Sequence, residues 1–80
     1  MIEPAERARM LKAYSIGPRM IGWLEEIGIE RLEDLAGADA EEIAMRIDTA
    51  LVRDRRLNRL GIAALRNLIE LANREASGGG

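Results

Sequence analysis

The sequence predicts an all-α fold, a compact bundle of about five helices. Alanine, leucine, arginine and glutamate, which all favour helix, dominate the 80 residues. Apolar residues recur at spacings of three and four, and no segment alternates apolar and polar residues over the length of a strand. A chain of this length forms a single domain, which we place at residues 1–76, followed by a flexible Ser/Gly tail at residues 77–80.

The first helix is expected to start near Pro4, because proline is tolerated in the first helical turn. Ala8 and Leu11 fall on one side of this helix and predict its buried face. Residues 15–18, Ser-Ile-Gly-Pro, then break the helical pattern. Gly17 permits backbone conformations that are closed to other residues, so we expect the chain to turn there.

The second helix is expected to run from Pro18 to about Ile27. Proline suits its first position, where a missing N–H costs nothing. Leu24 lies on its apolar face. Gly28 is expected to end the helix in the left-handed conformation, which places Ile29 to fold back onto the helix end.

The remaining sequence predicts three more helices. The first is short and is closed by Gly37, the second has Asp39 as its N-cap, and the last covers roughly Asn58 to Glu75. The apolar stripe of the last helix is expected to consist of Leu57, Leu60, Ala64, Leu65, Leu68, Ile69 and Ala72. Gly61 either marks a second turn between two helices, like the turn at residues 15–18, or lies within this last helix. The second interpretation is simpler.

Composition argues against several classes of protein. The chain has no cysteine and no histidine, so it lacks a disulfide, a thiolate metal site and the usual general base. We therefore expect no enzyme activity, no cofactor and no metal. Charges interrupt every apolar stretch and no signal pattern opens the chain, which favours a cytoplasmic protein without a membrane partner. The net charge of −2 divides into −5 for residues 1–50 and +3 for residues 51–80.

Residues 11–29 resemble the helix-hairpin-helix motif. The family pattern is a helix, a hairpin of glycine–apolar–glycine, a second helix and a glycine–apolar pair. Here Ser15-Ile16-Gly17 occupies the hairpin, and Gly28-Ile29 closes the second helix. The chain is similar to small modules of this superfamily, such as the C-terminal domain of TfoX-type competence regulators and the short pathogenicity locus proteins. The resemblance implies a SAM-like all-α domain.

The resemblance also implies a function, the non-catalytic binding of duplex DNA. Such hairpins hold the phosphate backbone without reading base sequence, because unpaired N–H groups at a helix N-terminus attract anions. Carried onto this sequence, the expected nucleic-acid-binding residues are Lys12, Ser15, Ile16, Gly17, Arg19, Arg55 and Arg56.

An alternative function is protein–protein interaction or oligomerisation, with the fold retained and DNA binding lost. Serine at position 15, where the family has glycine, and the acidic residues between Glu25 and Glu42 favour this alternative. The arginines at positions 53–59 either grip phosphates or belong to a solvated linker. Tyr14 is expected to pack against the second helix or else to expose its hydroxyl to a ligand. Trp23 is expected to belong to the core, and the alternative is stacking on a base or a partner.

Overall fold

The computed structural model describes residues 2–51 and 58–78, and this part of the chain is all-helical. Its four α-helices are α1 (Pro4–Met10), α2 (Pro18–Glu26), α3 (Ala40–Leu51) and α4 (Arg59–Gly78). One turn of 3-10 helix, Leu32–Leu35, lies between α2 and α3, where the sequence predicted a short third helix. The all-α class is therefore confirmed, with four α-helices in the described residues where about five helices were expected.

The predicted end of α2 is confirmed in detail. Gly28 has a left-handed φ of 90°. Its N–H donates to the Glu25 carbonyl at 3.0 Å, and the Ile29 N–H donates to the Leu24 carbonyl at 3.0 Å. These two bonds form a Schellman motif, which satisfies carbonyl groups that a helix end leaves open. Ile29 and Leu24 are both buried, so the chain reverses with an apolar contact beneath the turn.

Side-chain caps start α3 and α4. The Asp39 Oδ1 accepts the Glu41 N–H at 3.0 Å, as its position in the sequence predicted. The Asn58 Oδ1 accepts the Gly61 N–H at 2.8 Å, one turn into α4. Gly61 therefore lies inside the last helix and does not form a second turn between helices.

The core is apolar throughout the described residues, with no buried polar or charged side chain among them. Helix α4 packs against both α3 and the 3-10 turn, and α2 packs against α3. The largest fully buried side chains are Ile2, Met10, Ile21, Leu24, Leu32, Leu35, Ile47, Leu65 and Leu68. None of the described helices combines the length and the apolarity that crossing a bilayer requires.

The predicted buried face of α1 is wrong. Ala8 is exposed and Leu11 is 42% exposed, whereas Met10 is fully buried. Helix α1 ends at Met10, so the helical spacing cannot be extended through Leu11. Ala13 reaches the core from the turn that follows the helix.

The ends of α4 also differ from the predicted stripe. Leu60 is 79% exposed, because the first turn of α4 lies beyond the layer of residues that the helix buries. Leu57 lies outside the described residues. At the other end, Ser77 and Gly78 belong to α4, although the sequence assigned them to the tail.

Candidate nucleic-acid interface

A seven-residue connection, residues 11–17, joins α1 to α2. Short-range backbone bonds hold it, including Ala13 N–H to the Met10 carbonyl at 3.1 Å and Ile16 N–H to the Ala13 carbonyl at 3.3 Å. Ala13 and Ile16 are each only 8% exposed. Two apolar side chains thus anchor the connection to the core, and Ile16, an expected nucleic-acid-binding residue, is buried there.

Ser15 is the strained residue of this connection. Its φ is 68°, and it is the one non-glycine residue with a positive φ in the described part of the chain. L-residues disfavour this left-handed region because Cβ approaches the backbone carbonyl oxygen. The resemblance to the hairpin family places a glycine here, and the backbone adopts the conformation that glycine favours.

Gly17 does not have the conformation that the sequence predicted. Its φ of −119° and ψ of 175° are extended and open to any residue. A Cβ added to Gly17 would meet no atom within 4 Å. The left-handed conformation in this turn is therefore at Ser15. Neither the dihedral angles nor the packing at position 17 requires glycine.

The N-terminus of α2 is open. Gly17 is its N-cap, Pro18 occupies its first turn, and no side chain among the described residues caps it. The amides of Arg19 and Met20 have no intrahelical acceptor, since the first N–H groups of a helix precede its first hydrogen bond. By contrast, Asp39 and Asn58 cap the N-termini of α3 and α4. Of the residues at this end, Gly17 is partly exposed and Arg19 is exposed, whereas Met20 is buried.

The charged side chains beside this N-terminus are basic. Lys12 and Arg19 are both exposed, and they are the only charged residues between positions 10 and 24. Ser15 is exposed as well. Four of the predicted residues, Lys12, Ser15, Gly17 and Arg19, thus occupy one connection and the first turn of α2, with the Ile16 side chain beneath them.

Most acidic residues near α2 lie toward its opposite end. Glu25 lies about 10 Å along α2 from Pro18, at 1.5 Å per residue. Its Oε1 accepts the Ile2 N–H at 2.9 Å and lies 3.5 Å from the Arg7 guanidinium. Beyond it, the Glu33 carboxylate pairs with Arg9 at 2.9 Å. Glu25 is therefore separated from the start of α2, and both Glu25 and Glu33 are paired with arginines.

Comparison with family profiles, curated proteins and solved structures finds no match to this chain. The assignment of this candidate interface therefore depends on the positions and chemistry of its own residues.

The Glu6 side chain joins α1 to the 3-10 turn. Its Oε1 accepts the Leu32 N–H at 2.9 Å, and the carboxylate also receives the Arg9 guanidinium at 3.0 Å. The Leu32 N–H, followed by Arg9, lowers the pKa of Glu6 below its ordinary value, although partial burial acts in the other direction. Glu6 is accordingly a structural carboxylate, held ionised by its partners.

The two aromatic residues have different environments. Trp23 is partly buried and packs against the core, as predicted. Tyr14 is 81% exposed, so of its two predicted alternatives packing against α2 is excluded and exposure of the side chain remains. Its backbone carbonyl accepts the Asn67 Nδ2 of α4 at 3.1 Å, across 53 positions of sequence. No spacing in the sequence signals Asn67, because this contact is long-range.

Arg55 and Arg56, together with Arg53, lie outside the described residues. Arg59, at the start of α4, is exposed. The described residues contain no group of three or more acidic side chains arranged to hold a metal ion.

Proposed function

We propose that this protein binds duplex DNA without catalysis, through the phosphate backbone and without reading base sequence. The open N-terminus of α2, flanked by Lys12 and Arg19, carries the proposal. Unpaired N–H groups and the positive end of the helix dipole favour an anion at that position. Two exposed cations add attraction for a polyanion, and residues 10–24 contribute no acidic side chain to oppose it.

Gly17 supports the same proposal. Nothing in its φ, its ψ or its surroundings calls for glycine. A residue without Cβ at the N-cap leaves the amide open to close approach by a ligand. A phosphate oxygen at this position would reach the Gly17 and Arg19 amides without a side chain in the way.

The acidic composition of the first fifty residues does not oppose this site directly. Along α2, Glu25 is about 10 Å from the open N-terminus, which is about one Debye length at 0.1 M salt. Arg7 and the Ile2 amide engage the Glu25 carboxylate. Among residues 10–24, Lys12 and Arg19 add their charges to the positive end of the helix dipole.

Fluorescence anisotropy with a labelled duplex, measured across a salt series, tests the proposal. We expect binding at low salt and a steep loss of affinity as salt rises, because each neutralised phosphate releases counterions. Arg19→Glu is expected to weaken binding and to reduce the slope of log K against log salt by about 1. Arg74→Glu is the matched control, since Arg74 is an exposed residue of α4 and the substitution changes the net charge equally.

Two results would contradict the proposal. Absence of binding to duplex at low salt removes it altogether. Equal loss of affinity in the Arg19 and Arg74 variants would show that net charge alone, and not the hairpin, determines binding. Circular dichroism of both variants establishes that the helices are intact.

Protein association is a second candidate, and one observation favours it. An apolar groove lies between the end of α2 and α3 and is lined by Ile27, Glu42, Met45, Arg46, Thr49 and Ala50. Met45 is 67% exposed there. Sedimentation across a range of protein concentrations tests this candidate, with Met45→Glu as the variant. Salt-insensitive self-association that this variant abolishes would support it, and a monomer at all concentrations would oppose self-association.

A further inference from the structure

Tyr14 is the most exposed of the large hydrophobic side chains in residues 2–51 and 58–78. The chain contains only two aromatic residues, and the other, Trp23, packs against the core. An aromatic ring that is 81% exposed contributes little to folding, since burial is the source of its stabilising effect. Its position on the hairpin therefore calls for an explanation outside the core.

The backbone that carries Tyr14 is fixed. On one side, Ala13 is buried, and on the other, Ile16 is buried. The Asn67 amide of α4 donates to the Tyr14 carbonyl at 3.1 Å. The ring thus projects from an anchored backbone, and a ligand would meet it with little loss of backbone freedom.

Tyr14 also lies within reach of the phosphate site. Three peptide units separate its Cα from that of Gly17, so the two atoms are at most about 11 Å apart. Lys12 and Arg19 are the charged residues of this stretch, and both are basic. The ligand that suits this surface is an anion with a flat apolar face, and a nucleotide has both features.

We propose that the hairpin prefers DNA with an unpaired nucleotide, whose base stacks on Tyr14 while the adjacent phosphate lies at the N-terminus of α2. This inference rests on the proposed function. Bases inside a continuous duplex are already stacked on their neighbours and offer no free face. A base in a gap does, and aromatic rings bind such bases with little dependence on sequence.

Anisotropy with two labelled DNAs tests this preference. One is a continuous duplex, and the other is the same duplex with a short gap of unpaired thymidines. We expect the gapped DNA to bind at least about fivefold more tightly, which is the lower end of the stacking contribution of an aromatic side chain. Tyr14→Ala is expected to remove this difference and to leave affinity for the continuous duplex nearly unchanged. Tyr14→Phe keeps the ring and is expected to retain the preference.

The outcomes separate this inference from the proposed function. Equal binding of the two DNAs, unaffected by Tyr14→Ala, overturns the preference and leaves duplex binding intact. Absence of binding to either DNA overturns both. Self-association that Tyr14→Ala abolishes, without any preference for the gap, assigns the ring to a protein contact and also overturns the inference. Because Tyr14 is exposed, the alanine variant is expected to fold, and circular dichroism checks this.

Discussion

Replacing Ser15 by glycine is expected to stabilise the protein. Ser15 has a φ of 68°, and the left-handed conformation costs an L-residue about 1–2 kcal/mol. Glycine adopts it freely, although its extra freedom in the unfolded chain removes about 0.4–1 kcal/mol of the gain. No hydrogen bond of the Ser15 side chain to the described residues offsets the strain. The expected net gain is about 0.5–1 kcal/mol.

Urea denaturation measures this gain directly, as a higher midpoint with an unchanged slope. In a thermal scan, it corresponds to a rise in Tm of about 2–8 °C for a domain of this size. Ser15→Ala is the matched control. Alanine meets the same backbone strain, so its stability should remain within about 0.5 kcal/mol of the parent. A glycine variant no more stable than the parent, or an alanine variant with the same gain, would refute the reasoning from backbone strain.

Two further predictions concern glycine positions and acid sensitivity. Gly28→Ala is expected to destabilise the protein by about 1–2 kcal/mol, because φ is 90° at that position. Gly22→Ala, in open space inside α2, should stabilise the protein by up to about 1 kcal/mol. If urea denaturation showed the Gly28 variant to be more stable than the Gly22 variant, the two assigned conformations would be contradicted. The pKa of Glu6 is lower in the folded protein than its unfolded value, near 4.5. The carboxylate therefore contributes fully to folding stability above the unfolded pKa, and this contribution is lost as pH falls through the folded pKa. Glu6→Gln should therefore flatten the acid limb of a stability–pH curve, and an unchanged acid limb would show that the Leu32 contact does not stabilise the fold.

The sequence located three helix ends well, because the signals that set them are local. Pro18 at the start of α2, Gly28 after its end and Asp39 before α3 each act within about one helical turn. A dihedral angle or a capping bond is decided by a residue and its immediate neighbours. Such features can be predicted without knowing what the helix packs against.

The buried face of a short helix is decided by partners elsewhere in the chain, and there the prediction was wrong. Helix α1 spans only Pro4–Met10, too few residues for the apolar spacing to define one face. Contacts with distant residues decide it, including the Glu6 bond to the Leu32 amide. The same limit applies to Tyr14, whose carbonyl partner Asn67 lies 53 positions away.

The sequence also does not show which acidic and basic side chains pair in the fold. A run of acids follows the hairpin along the chain and argued against a phosphate site. In the fold, Glu25 in the last turn of α2 pairs with Arg7, and Glu33 in the 3-10 turn pairs with Arg9. Charge summed along a sequence therefore does not give the field at this turn, because Glu25 lies about one Debye length along α2 from its N-terminus and is paired with Arg7.

Residues 15 and 17 have different roles in the connection between α1 and α2. The left-handed conformation falls on Ser15, where the side chain tolerates a backbone that glycine would adopt more easily. Gly17 has an ordinary extended backbone and open space around it. Substitution at position 15 therefore acts on folding stability, whereas a side chain at position 17 would act chiefly on whatever approaches the N-terminus of α2. Under the proposed function, the absence of a side chain at Gly17 leaves the Gly17 and Arg19 amides open to a phosphate oxygen.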